Sequence, residues 1–307
     1  MDDLAARLQA TLGDAYLLER ELAGGTASRL FLALERALDR RVVVKVLPPD
    51  AATEVSAARF KREMSLAAHL QHPHILPVLS AGARGDLLYY VMPYVDGESL
   101  RNRLQREGRL SIEDGLAILR EVADALAVAH AAGIVHRDVK PGNILLQGGH
   151  AMLADFGVAH ALEEARGGRR LTDPGTAVGT PGYMSPEQAV GESSVDARSD
   201  VYALAIVGYE MLAGAPPFTG RTVQAVVAAH LAQPPKSLRD VRPEVPGAVA
   251  DAIGRALAKD PADRFQTAAA FRDALPLPAG AYPRGRRSGL RALAAGLAAL
   301  AGFHRAR

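Results

Sequence analysis

The spacing of apolar residues divides the chain into a strand-rich first part and a helix-rich second part. Short apolar runs over residues 16–47 predict strands, and apolar side chains recurring every three or four positions over residues 56–69 predict a helix. Two further strands are expected before residue 92. Beyond residue 100 helical periodicity dominates, and proline pairs mark the loops. The longest periodic segments are 112–131, 201–213, 223–232 and 249–257.

The composition is that of a globular protein, and 307 residues can bury a substantial core in two lobes. The chain has no cysteine, which excludes disulfides and thiolate metal sites and fits the cytoplasm. Its acidic start lacks the basic and apolar regions of a signal peptide. Instead, Leu4, Leu8 and Leu12 predict a short amphipathic helix, so that residues 1–15 form a helical extension packed on the strand-rich part.

The last segment, residues 276–307, is rich in Ala, Leu and Arg. Residues 284–307 hold six arginines and no acidic residue, so the net charge of +2 leaves −4 for the rest of the chain. Specific nucleic-acid binding by the whole protein is therefore not expected. The apolar stretch 290–303 is interrupted by Arg291 and falls short of the about 20 residues that span a bilayer. We therefore favour a surface-lying amphipathic helix or a disordered tail over a membrane-spanning segment, and contact of the tail with the inner face of the membrane is the less favoured alternative.

Two short motifs carry the candidate chemistry. The sequence His136-Arg137-Asp138-Val139-Lys140-Pro141-Gly142-Asn143 is followed by Asp155-Phe156-Gly157. Together they place two carboxylates, a lysine and a carboxamide at the spacing that Mg²⁺-dependent phosphoryl transfer requires. The apolar runs 144–146 and 151–154 predict a buried hairpin that presents both acidic loops on one side. Either motif alone is compatible with ordinary loop residues, whereas both in this order favour catalysis.

With these motifs the sequence resembles the bacterial Hanks-type serine/threonine protein kinases. The resemblance covers residues 16–275 and implies an α+β, bilobal protein-kinase-like fold. A small β-rich N-lobe with one main helix is expected over residues 16–91, a hinge over 92–97 and a larger, mostly helical C-lobe over 98–275. The implied cofactors are ATP and Mg²⁺, with Mn²⁺ as a substitute, and the implied acceptors are Ser or Thr hydroxyls of proteins.

The resemblance also implies roles for the motif residues. Asp138 is expected to accept a hydrogen bond from the acceptor hydroxyl and to take its proton late. Asn143 and Asp155 are expected to hold the metal ions, which suits the preference of Mg²⁺ for oxygen ligands. Lys140, at the position that distinguishes Ser/Thr from Tyr kinases, is expected to steady the transferring phosphate.

Lys45 is a single charge in the β-branched run 41–47, and a buried lysine needs an anionic partner. The family supplies two such partners, the ATP phosphates and a glutamate on the following helix, for which Glu63 is the candidate. The alternative is that Lys45 extends from an edge strand into solvent while Glu63 makes a pair on the helix surface.

For adenine, the resemblance places Met92 as the gatekeeper at the end of a strand. The Pro93 carbonyl then accepts from the adenine amino group, the Val95 N–H donates to the ring, and Val43 lies against the base. The implied nucleotide-binding residues are Leu22, Gly24, Gly25, Leu30, Val43, Lys45, Met92, Pro93, Val95, Leu145 and Asp155.

The loop that covers the phosphates departs from the family's G-x-G-x-x-G pattern. Of its three glycines only Gly25 keeps its place, because Ala23 and Ser28 occupy the outer positions. The added Cβ atoms destabilise the loop most where its backbone needs a positive φ, so these two substitutions bear directly on the affinity for ATP. These substitutions motivate an alternative function, a pseudokinase acting as a nucleotide-binding scaffold. The retained charged residues favour an active enzyme.

Residues 160–178 have almost no apolar periodicity and are expected to be mobile. The nine residues that follow resemble the substrate-docking end of the kinase activation segment, in which Thr180 orients the acceptor hydroxyl. Thr172 and Thr176 are the candidate phosphosites, and a phosphothreonine there would pair with Arg137. Ordinary solvated threonines are the alternative. The segment implies protein substrates rather than small molecules, with self-association for autophosphorylation in trans.

Two further charged residues are expected to be buried and structural. Asp200, near the start of the predicted helix 201–213, bonds the backbone of the catalytic loop in the family, although an ordinary N-cap has the same local sequence. Arg264 is expected to pair with Glu187, which follows Ser185-Pro186 in the family's Ala-Pro-Glu position.

Overall fold

Five apolar runs near the start of the chain pair as an antiparallel sheet. The computed structural model describes residues 3–22, 28–47, 57–84, 87–157, 181–192 and 195–277. The sheet order is β1-β2-β3-β5-β4, and the central β3 carries three consecutive buried valines because both of its faces are covered. The strands are β1 (Tyr16–Leu22), β2 (Arg29–Glu35), β3 (Arg40–Val46), β4 (Ser80–Arg84) and β5 (Leu87–Pro93).

Helices cover the two faces of this sheet. The first, α1 (Asp3–Leu12), buries Leu8 and Leu12 in a cluster with Val42 and Val44, which confirms the predicted N-terminal helix. The second, α2 (Ala57–Ala68), buries Phe60 and Met64 on the opposite face, where Val43 points because successive strand residues alternate. We call the sheet with α1 and α2 the N-lobe.

The rest of the chain is mainly helical, and we call it the C-lobe. Predicted helices 112–131 and 223–232 agree with the structure, whereas the predicted helix 201–213 begins earlier, at Ala197, after the N-cap Asp196. No helix of the described ranges is long and apolar enough to cross a membrane. The C-lobe helices are α3 (Leu100–Glu107), α4 (Ile112–Ala131), α5 (Pro186–Ala189), α6 (Ala197–Ala213), α7 (Val223–Ala232), α8 (Leu238–Val241), α9 (Gly247–Ala256) and α10 (Ala268–Ala274).

A second, small sheet lies at the start of the C-lobe. It pairs β6 (Glu98–Ser99), β7 (Ile144–Gln147) and β8 (His150–Leu153), so the predicted hairpin is confirmed. Residues 74–76, between α2 and β4, add to this sheet. The Leu76 N–H donates to the Leu153 carbonyl, and the Leu153 N–H donates to the His74 carbonyl, each at 2.9 Å. The two lobes are therefore joined here as well as through the connection from β5 to β6.

Candidate active site

Asp200 holds the backbone of the catalytic loop, residues 136–143, in place. Its carboxylate accepts the N–H groups of His136 and Arg137 at 2.8 Å each, and the side chain is only 1% exposed. His130 Nε2 lies 2.8 Å from the same carboxylate. The N-cap of α6 is Asp196 instead. The predicted bond from Asp200 to the catalytic loop is confirmed, and its N-cap alternative is wrong.

His136 connects this loop to the second motif. Its Nε2 lies 2.8 Å from the carbonyl oxygen of Ala154, and Phe156 packs edge-on against the imidazole with ring centres 4.6 Å apart. Arg137 and Asp155 both have a left-handed backbone, with φ of 66° and 72°. Such values are uncommon outside glycine and recur at functional sites. The contacts through His136 thus fix the relative positions of the two acidic loops.

The structure brings Asp138, Lys140 and Asn143 together. Lys140 Nζ lies 2.7 Å from Asp138 Oδ2, and Asn143 Nδ2 donates to the same oxygen at 3.0 Å and to the Asp138 carbonyl at 2.8 Å. The Asp138 side chain remains 33% exposed. An oriented carboxylate is therefore accessible to an acceptor hydroxyl.

Asp155 is held at both carboxylate oxygens. Lys45 Nζ lies 2.5 Å from Oδ2, and the Tyr90 hydroxyl donates to Oδ1. Burial raises the pKa of Asp155, but the Lys45 charge and the bonds from Lys45 and Tyr90 outweigh it and lower the pKa below the usual value. Burial and the charge of Asp155 raise the pKa of Tyr90 well above its usual value. Asp155 is thus ionised and Tyr90 protonated at neutral pH.

Glu63 lies half-buried on α2, beside the buried face formed by Phe60 and Met64. The helix packs against the second motif, because a Cβ added at Gly157 would lie 3.2 Å from the Glu63 carbonyl oxygen. Lys45 extends from β3 toward Asp155. The pair between Lys45 and Glu63 stays a prediction.

The predicted adenine contacts gather in one apolar cluster. Val43 and Met92 are buried in it and lie opposite each other across β3 and β5. Leu22 and Leu30 pair across β1 and β2 and pack against the same cluster. Strand β5 continues through Pro93, one residue beyond the predicted end at Met92. Val95 and Leu145 also pack against this cluster.

Several predicted residues lie outside the described ranges. Gly24 and Gly25 belong to the phosphate-covering loop, and Thr172, Thr176 and Thr180 belong to the segment before residue 181. The described chain resumes with a 3₁₀ turn at Pro181–Tyr183 and then α5.

The start of α5 is attached to the catalytic loop and to the C-lobe core. Gln188 Nε2 donates to the Arg137 carbonyl at 2.8 Å. Glu187 forms a buried ion pair with Arg264, so this prediction is confirmed. The Tyr183 hydroxyl donates to Glu210 on α6 at 2.6 Å. The expected substrate-docking end of the segment is thus tied to the same framework as Asp138.

Comparison with known proteins agrees with this geometry. Residues 16–275 match the protein kinase domain family. The chain belongs to the protein kinase family. Serine/threonine-protein kinase PknA of Mycobacterium tuberculosis is 39% identical over 279 residues, which cover 89% of this chain and 63% of the relative. Serine/threonine-protein kinase PknB of Mycolicibacterium smegmatis is 42% identical over 271 residues, which cover 85% of this chain and 42% of the relative.

These findings confirm the resemblance to bacterial Hanks-type Ser/Thr kinases and the α+β, bilobal fold. The chain spans less than two thirds of the length of either relative. Two residues of the kinase site were not predicted, Tyr90 and His130. Neither belongs to a short motif, and only the strand register, which puts Tyr90 opposite Lys45, would have pointed to the tyrosine.

Proposed function

We propose that this chain is an active serine/threonine protein kinase, which transfers the γ-phosphate of ATP to Ser or Thr hydroxyls of proteins. The observation that carries the proposal is the partly exposed Asp138 carboxylate, oriented by Lys140 and Asn143. In the reaction a bond forms between the acceptor oxygen and the γ-phosphorus while the bond to the ADP oxygen breaks. Asp138 receives the acceptor's proton. Lys140, beside it, stabilises the transferring phosphate.

The residues present fit a magnesium nucleotide. Asp155 and Asn143 offer a carboxylate and an amide oxygen, and Mg²⁺ prefers a few such ligands completed by phosphate oxygens and water. A bound Mg²⁺ would neutralise the charge of the phosphates. Mn²⁺ fits the same oxygen ligands. We propose that Lys45 and Glu63 form an ion pair that holds the phosphates. The apolar cluster around Val43 and Met92 is the proposed surface against which the adenine ring packs.

Control is proposed to act through the segment before residue 181. Phosphorylation of Thr172 or Thr176 in trans, by a second copy of the chain, would add a group that pairs with Arg137. Thr180 would orient the acceptor. Protein substrates and a cytoplasmic location are part of this proposal, as is the division into an extension (1–15), a kinase domain (16–275) and a basic tail.

The test is incubation of the purified protein with Mg²⁺ and γ-labelled ATP, followed by mapping of the phosphate by mass spectrometry. The wild type is expected to label itself or a generic protein substrate. Asp138→Ala should lower the rate by about 100-fold or more, because general-base positioning contributes 10²–10⁴. Lys45→Met and Asp155→Asn should also lose activity. Lys61→Met, at an exposed lysine of α2, is the matched control and should keep it.

Two outcomes would contradict the proposal. ATP binding without transfer in the wild type would favour the pseudokinase scaffold and direct attention to Ala23 and Ser28. Label that appears on a metabolite rather than on protein would indicate a small-molecule kinase.

A further inference from the structure

Asp155 has a second partner besides the lysine. The Tyr90 hydroxyl donates to Asp155 Oδ1 while Lys45 holds Oδ2, so each carboxylate oxygen accepts from a different side chain. Lys45 Nζ also lies 6.0 Å from the centre of the Tyr90 ring. A carboxylate has about four lone-pair directions, so two acceptor directions remain on Asp155.

The two donors come from one rigid strand pair. Lys45 on β3 and Tyr90 on β5 are directly opposite each other in the register of the sheet. Tyr90 is 1% exposed, and its ring is buried in the cluster that includes Phe60 and Met64. Side chains opposite each other on one sheet face are held close by the strand pairing itself. The hydroxyl of Tyr90 is therefore fixed in space by the core of the N-lobe.

Asp155, in contrast, sits on a loop with a left-handed backbone, φ 72°, in a residue other than glycine. Gly157, two residues further along, also has a positive φ, 81°. Such a backbone persists where surrounding contacts hold it. A single bond from Lys45 would still allow the carboxylate to rotate about its last torsion angle, whereas a second bond to the other oxygen prevents this rotation.

We propose that Tyr90 is a positioning residue of the phosphoryl-transfer site: its hydroxyl fixes the plane of the Asp155 carboxylate and thereby presents the remaining oxygen lone pairs to the metal ion in one orientation. This inference rests on the proposed role of Asp155 as metal ligand. Tyr90 acts through Asp155.

The test measures metal binding directly. Mn²⁺ is titrated into the protein with a non-hydrolysable ATP analogue, and free Mn²⁺ is followed by electron paramagnetic resonance. Tyr90→Phe keeps the ring and removes the hydroxyl. We expect the apparent Kd for Mn²⁺ to rise by about tenfold, as when the outer partner of a metal ligand is lost. Turnover should fall in parallel, while the KM for ATP at saturating metal changes little.

Tyr89→Phe is the matched control, because Tyr89 is the adjacent residue of β5 and points to the other face of the sheet. It should keep the wild-type Kd. Tyr90→Met, a second variant without the hydroxyl, should repeat the loss, and thermal unfolding checks that each variant is folded.

A Tyr90→Phe protein that binds Mn²⁺ as tightly as the wild type, or more tightly, would overturn the proposal. Asp155→Asn in the same titration separates the proposed metal role of Asp155 from the proposed positioning role of Tyr90. If it leaves Mn²⁺ binding unchanged, the metal role of Asp155 fails and the Tyr90 proposal fails with it. If it abolishes binding while Tyr90→Phe has no effect, only the Tyr90 proposal fails.

Discussion

Arg264 and Glu187 form a two-point ion pair inside the C-lobe. Arg264 Nη1 and Nη2 lie 2.7 and 2.8 Å from the two carboxylate oxygens, and the arginine side chain is 0% exposed. Arg264 also donates to the carbonyls of Ala258 and Lys259 at 2.8 Å each. Ser199 Oγ donates to Glu187 at 2.5 Å. The pair connects the start of α5 to the loop after α9.

Removing the arginine should be strongly destabilising. Arg264→Ala leaves Glu187 as a buried charge without its main partner, and we expect the free energy of unfolding to fall by about 3–5 kcal/mol. Urea denaturation measures this. Arg239→Ala, at an exposed arginine of α8, should change the free energy by about 0.5 kcal/mol or less. Equal effects of the two variants would show that the buried pair has no special role.

The same pair makes stability depend on pH. Burial raises the pKa of Glu187, but the bonds from Arg264 and Ser199 outweigh it, and the pKa lies below the ordinary value of 4.5. The unfolded chain therefore binds the proton more readily than the folded protein. The stabilisation is complete above about pH 4.5 and is lost as the pH falls through the folded pKa. Denaturation between pH 6 and 3 should show a weaker pH dependence for Glu187→Gln than for wild type, and identical slopes would contradict this prediction.

Asp200→Asn should impair turnover more than ATP binding. The carboxamide has one acceptor oxygen where the carboxylate has two, so the N–H of His136 or of Arg137 loses its partner. An unpaired buried N–H costs about 1–3 kcal/mol, which corresponds to a loss of about 5- to 150-fold in kcat if the cost falls on the catalytic step. Steady-state kinetics give kcat and the KM for ATP. Asp196→Asn should leave both unchanged, because asparagine caps a helix as well as aspartate.

The N-terminal helix should contribute to the stability of the N-lobe. Leu8 is 0% exposed in the cluster with Val42 and Val44, so Leu8→Ala should lower the unfolding free energy by about 2–5 kcal/mol. Thermal and urea unfolding measure the loss. Leu17→Ala, at a leucine that is 40% exposed, removes the same atoms from the surface and serves as the control. A comparable loss in both variants would mean that α1 is not part of the core.

Helices with strong periodicity and clear caps could be predicted from the sequence. The range 112–131 agrees with the structure, and it follows Ser111, whose side chain accepts the N–H of Asp114. Helix α6 begins four residues before the predicted start, a difference that arises because its first turn contains the polar residues Arg198, Ser199 and Asp200. Their burial depends on partners far away in the chain, which periodicity does not report.

The candidate site likewise contains residues that could be predicted from the sequence and residues that could not. Asp138, Asn143 and Asp155 could be predicted because the chemistry requires them close together in short motifs. Tyr90 could not, since its role depends on the register between β3 and β5 and on a loop 65 residues further along the chain. The contact between Lys45 and Asp155 likewise spans 110 positions. Contacts of this kind follow from the tertiary fold alone.

The hydrogen bonds between residues 74–76 and β8 have a mechanical consequence. They connect the N-lobe to β8, and the chain crosses between the lobes again through the link from β5 to β6. These two connections between the lobes define a line, and a rigid body attached at two points can only rotate about that line. Rotation of the N-lobe about this line would carry Lys45 and Tyr90 together, because one strand pair holds both.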